Sequence, residues 1–122
     1  MNRENIVVDK SYKFAISIVN LYKYLKDEKK EFVISKQILR SGTSIGANVN
    51  ESQSAESKMD FIHKLGIAAK ETRETEYWLN LLKETNYIDE ETNNLLIKEC
   101  KSLLNIINSI IITTKGKIDV NK

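Results

Sequence analysis

SKQILRSGTSIGANVNESQSAESKMDFIHKLGIAAKETRETEYWLNLLKE, residues 35–84, opens with two helical stripes lying side by side. Gln37, Ser41, Ser44, Asn48 and Glu51 recur at alternating steps of four and three, which puts them along one side of a helix. Beside them Ile34, Ile38, Gly42, Ile45 and Val49 form an apolar stripe. A packed core explains the second stripe, while the first asks for a polar neighbour. Ser41, Gly42, Thr43 and Ser44 are poor helix formers, Gly alone costing about 1 kcal/mol relative to Ala. The helix either ends at Gly42 and restarts, or continues because small side chains let another backbone come close. Both stripes keep their phase from Ile34 to Glu51, which favours continuity.

Further along the same stretch, Ser57 followed by Asp60 marks the start of another helix. Phe61, Leu65, Ala68, Thr72, Thr75, Leu79 and Leu82 then hold a four-three repeat, the spacing of bundle helices that cross at shallow angles. Its middle turns small and polar. Thr72 and Thr75, flanked by Glu71 and Glu74, fall at the level where an antiparallel partner offers Arg40, Ser44 and Asn48. The pattern predicts an interhelical network, with Arg40 paired to Glu71 or Glu74 and Asn48 hydrogen-bonded across the seam.

Working outward, a first helix is expected over about 10–29, capped by Asp9 or Ser11. It has two apolar series, Tyr12, Ala15, Val19, Tyr22 and Phe14, Ile18, Leu21, Leu25, which is more than one core stripe needs. Lys23, Lys26, Lys29 and Lys30 suit the negative pole at its end. Residues 31–34 make a short turn, and Ser35 is placed to cap the second helix, expected over 35–54. The third is expected over 58–85. Asp89 caps a fourth over 89–113, whose core stripe is Leu96, Cys100, Leu103, Ile107 and Ile110. Leu104, Ile106, Ile111 and Ile112 add a second apolar surface, of the kind that marks an interface. Residues 115–122 read as a frayed polar tail.

At 122 residues the chain has the size of a single domain, and no Pro with only four Gly leaves long helices uninterrupted. A net charge of +2 permits nucleic-acid binding without arguing for it. One cysteine makes no internal disulfide, and residues 2–10 lack the apolar run of a secretory signal, so a cytoplasmic home is expected. The most apolar run, 106–112, is far below the roughly 20 residues that cross a bilayer.

Catalytic chemistry finds little foothold. Asp60 and His63 have half the spacing of a di-iron bundle site, but such a site needs two carboxylate-x-x-His motifs and the chain has one histidine. Cys100 sits on a core stripe, where a thiol is a small hydrophobe. No Gly-rich phosphate cradle is present. The expectation is a protein that is not an enzyme and uses no metal or cofactor. Tyr77 and Trp78 read as core or subunit anchors.

The chain resembles the four-helix-bundle family of 23S rRNA intervening-sequence proteins. The likeness rests on Gln37, Leu39-Arg40-Ser41, Thr43-Ser44-Ile45-Gly46-Ala47-Asn48 and Glu51, then Ser57, Asp60-Phe61, Lys64-Leu65, Ile67-Ala68, Lys70-Glu71, Glu74-Thr75 and Tyr77-Trp78-Leu79. Gly42 and Asn50 stand where the family more often has alanine. The resemblance implies an all-α, antiparallel up-and-down four-helix bundle assembling into a ring-shaped homo-oligomer, commonly a pentamer, without known enzymatic activity. It is similar in fold to the accessory variability determinant of diversity-generating retroelements, which binds nucleic acid and a reverse transcriptase through a basic ring. The sequence reading is thus a self-associating bundle that contacts RNA or a nucleic-acid enzyme through Lys23, Lys26, Lys29, Lys30 and Lys36. Its alternative is a structural or protein-interaction scaffold that ignores nucleic acid. Gln37, Arg40, Ser44, Asn48, Glu51, Glu71 and Glu74 make up the polar interhelical or interface network in either case.

Overall fold

The computed structural model describes residues 2–120, whose regular secondary structure is all helix: α1 (Arg3–Asp27), α2 (Ile34–Ser52), α3 (Lys58–Glu84) and α4 (Glu90–Val120). Each helix packs on the next in sequence, and α1 returns to meet α4 along a sparser seam. Among the described residues the backbones of the diagonal pairs α1/α3 and α2/α4 stay apart, and buried side chains from all four helices share one core. Ile18, Leu25, Ile38, Ile45, Leu79 and Ile107 are fully buried in it. Each such side chain contributes about 1.5–3 kcal/mol relative to exposure.

The run of small residues does not break α2, which passes through Gly42 without interruption. Its cost in helix propensity is offset by proximity. A Cβ at Gly42 would lie 2.7 Å from both γ carbons of Ile18, and one at Gly46 would lie 3.1 Å from the carbonyl oxygen of Ser11. The backbones of α1 and α2 therefore approach closely along this line, with Ser11 buried between them and its hydroxyl donated to the Val8 carbonyl at 3.1 Å.

α1 starts a full two turns before the expected position. Asn2 caps it by accepting from the Asn5 amide at 2.9 Å, while Asp9 lies within the helix in an i,i+4 pair with Lys13. The cause is Val7: the buried series Val7, Ser11, Phe14, Ile18, Leu21 and Leu25 keeps a four-three period, and packing rewards extending it backward. Of the two apolar series expected on α1, the one with Phe14 and Ile18 is the core stripe. Tyr12, from the other, is 68% exposed.

At the far end α1 stops at Asp27, two residues short of expectation, and Lys30 turns the chain with a left-handed φ of 54°. Glu31, rather than Ser35, then caps α2. Its buried carboxylate accepts from the amides of Val33 (2.8 Å), Ile34 (2.7 Å) and Ser35 (3.0 Å), while the Ser35 hydroxyl donates to the Glu31 carbonyl at 2.7 Å. One acid thus satisfies three of the four amides that a helix start leaves unpaired.

Ser57 and Asp89 cap α3 and α4 as their sequence positions predict, accepting from Asp60 (3.0 Å) and Thr92 (2.7 Å). The Thr92 amide holds the exposed Asp89 carboxyl below its usual range. The fourth helix does not fray at 113 but continues to Val120; residues 121 and 122 of the expected tail lie outside the described residues. Arg3 supports this extension by donating to the hydroxyls of Ser109 and Thr113, the latter at 3.0 Å. Three of the four residues expected to leave α4 greasy, Leu104, Ile106 and Ile111, pack against the core; Ile112 remains 71% exposed.

The glycine line gives a direct contrast. Gly42→Ala forces Ile18 to move and is expected to cost about 1–3 kcal/mol, whereas Gly66→Ala, with nothing within 4 Å of the new Cβ, is expected to gain up to about 1 kcal/mol. Denaturant titrations of the two variants read both signs. In the same assay, Glu31→Ala should lose about 1–3 kcal/mol by stranding the α2 amides.

Candidate functional site

The polar level expected between α2 and α3 exists, with a different membership. Ser41 and Thr75, both fully buried, bring their hydroxyls to 2.9 Å of each other, and Thr75 also donates to the Glu71 carbonyl at 2.8 Å. Thr72 closes on its own helix at the Ala68 carbonyl, 2.8 Å away. These groups are satisfied within the seam, as buried hydroxyls require.

Ser44 and Asn48 do not reach α3. Ser44 donates to the Arg40 carbonyl at 2.6 Å and Asn48 to the Ser44 carbonyl at 2.9 Å, both within α2. The expected bond of Asn48 across the seam is therefore absent among the described residues. Short polar side chains one step off the core line find the i−4 carbonyl sooner than a facing helix. Gln37 and Glu51, at the ends of the same stripe, are exposed.

Arg40 spans the outer edge of the seam. Its guanidinium donates to Glu71 Oε2 at 3.1 Å and also to Glu74 Oε2, so one fork holds both acids that the sequence offered as alternatives. Glu74 Oε2 accepts in addition from the Trp78 indole at 3.0 Å. Trp78 is half-buried and meets the exposed Tyr77 edge to face at 4.9 Å. That indole link was missed in the sequence, although the i,i+4 spacing of Glu74 and Trp78 was its visible signal. With the Arg40 side chain 49% exposed, the cluster is screened and worth about 1 kcal/mol or less. A guanidinium held between carboxylates of the facing helix fixes how α2 and α3 sit against each other.

Burial, reinforced by the charge of Glu76, pushes the Cys100 thiol well up, away from the reactive thiolate. His63 is exposed, and among the described residues no three His, Cys, Asp or Glu side chains gather to hold a metal ion. No described helix is long and apolar enough to cross a membrane.

What remains is surface. Lys23, Lys29, Lys30 and Lys36 are exposed around the α1–α2 turn, and Lys26 is half-exposed, 3.6 Å from Asp27. Lys29 lies over the Tyr24 ring at 5.9 Å. At the tip of that turn Phe32 is 51% and Val33 73% exposed, an apolar pair in a tight connection that the sequence reading passed over. Open grooves run along α1, of which two are large. The first, about 610 Å³ against α2, is floored by Val8, Ala15, Gly46 and Ala47 with Tyr12 at its side. The second, about 600 Å³ where α1 and α4 part, is lined by Leu21, Tyr24, Ile88, Leu95 and Leu96, with Asp89 and Glu91 on its edge.

A double-mutant cycle tests the internal part of this arrangement. Ser41→Ala and Thr75→Val are each expected to lose about 1 kcal/mol with a coupling near 0.5–1 kcal/mol, whereas Arg40→Ala should cost less and shift the Trp78 fluorescence.

A comparison with curated proteins finds no match. A crystal structure of a protein of unknown function from the S23 ribosomal protein family of Bacteroides thetaiotaomicron superposes with a TM-score of 0.89 at 55% identity, covering 90% of this chain and 98% of that one. The sequence model of the 23S rRNA-intervening sequence proteins matches residues 3–109. Spanning α1 to α4 through the Arg40–Glu71–Glu74 seam, that match places the chain in the 23S rRNA-intervening sequence protein family.

Proposed function

We propose that the protein is a non-enzymatic, self-associating bundle whose work is done by its assembled outer surface, in the cytoplasm that its single buried cysteine suits. The observation that carries this reading is the amount of apolar surface left wet: Tyr12, Ile16, Phe32, Val33, Leu95 and Ile112 are each 48% exposed or more. An antiparallel, up-and-down course is supported by the pairings of Ile18 with Gly42 and Ser11 with Gly46, where residue numbers fall along α1 as they rise along α2. The homopentameric ring implied by the family resemblance would repeat each exposed patch around one rim.

A second reading, contact with RNA or with a nucleic-acid enzyme, is favoured by one feature, the exposed lysines of the α1–α2 turn. Copies in a ring would turn a modest local charge into a multivalent one.

Light scattering of the purified chain tests the first reading, and a well-folded monomer at high concentration would end it. The second is tested by titrating structured RNA across salt. Binding should fall steeply as salt rises, in proportion to the phosphates neutralised, and Lys23→Glu should weaken it. Flat curves at low salt would leave the scaffold reading alone.

A further inference from the structure

We infer that the α1–α2 turn of one copy docks in the α1/α4 groove of the next, through Phe32 and Val33 flanked by Lys30 and Lys36. This rests on the self-association reading above and names the surfaces that meet.

The turn is built to project. Glu31 is buried and spends its carboxylate on three amides, and Lys30 is held in the left-handed region, so the tip is fixed rather than floppy. That rigid tip presents two large apolar side chains to solvent, where a tight connection ordinarily carries polar residues. Pre-organised apolar anchors of this kind lose little entropy on docking.

The groove has the opposite character. Leu21, Ile88, Leu96 and the 62% exposed Leu95 give it a mainly apolar lining, interrupted by Ser17, Asn20 and Thr92. Its edge is acidic, with Asp89 and Glu91 there and Glu90 beside them at the start of α4. The apolar tip, with Lys30 and Lys36 on either side of it and the acids Asp27 and Glu28 set further back on the turn, meets a mainly apolar slot that carries Asp89 and Glu91. Lys29 is not counted, because it lies over Tyr24 beside its own groove. Knob and groove are different surfaces of one chain, so each copy both gives and receives; where the giver and the receiver are different neighbours the contact is heterologous, and a closed ring follows if the rotation closes.

The test uses the full chain and reads mass by sedimentation together with RNA binding. Phe32→Ser, at an exposed position, should weaken association about tenfold or more without lowering the melting temperature. Lys30→Glu with Lys36→Glu should weaken it about tenfold at low salt, Glu91→Lys likewise, and the combination should restore it. Independently, a mixture of Val33→Cys and Leu95→Cys chains should form a disulfide-linked pair under mild oxidation, while neither chain alone does so efficiently. An oligomeric wild type whose mass ignores Phe32→Ser and the charge swaps overturns the inference and leaves self-association standing. A monomeric wild type overturns both. Lysine variants that lose RNA binding with unchanged mass assign the turn to nucleic acid, which also overturns it.

Discussion

The tightest constraint in the molecule is the crossing of α1 on α2 at Gly42 and Gly46. No side chain larger than hydrogen fits at Gly42 while Ile18 keeps its place, so two helices share space that in other seams is filled by methyl groups. α1 leans on α2 and meets α4 more sparsely, closed by Arg3 on Ser109 and Thr113 at one end and open beside Leu21 and Tyr24 at the other.

Polar groups follow a local logic. Ser41, Thr72 and Thr75 are inside and satisfied by backbone carbonyls or each other; Arg40, Glu71 and Glu74 pair at the wet edge; Ser44 and Asn48 fold onto their own helix. A buried hydroxyl pair is worth about 1 kcal/mol net, and an exposed ion pair less. Register between α2 and α3 therefore depends mainly on the apolar lines of Ile38, Ile45, Leu65 and Leu79, with the polar groups penalising slippage rather than driving assembly.

The one thiol is buried and the one histidine exposed. The features without an internal explanation are the lysine-flanked turn tip, the acid-edged groove and the scattered exposed aromatics. A 55% identical protein that itself carries no assigned function offers a fold to compare and no chemistry to borrow.

Periodicity alone determined that four helices form, which faces of α2 and α3 turn inward, and where Ser57 and Asp89 begin their helices, because those features depend on residues a few positions apart. Continuity through Gly42 was legible for the same reason. Only the tertiary structure decided that α1 extends back through Val7, that α4 runs past 113, and that Glu31 replaces Ser35 as a cap. It also decided that Asn48 bonds within its own helix while Ser41 crosses the seam. Each of these turns on distances between helices, and whether a side chain reaches its own carbonyl or a neighbour's is a question of a few ångströms that spacing along one chain does not contain.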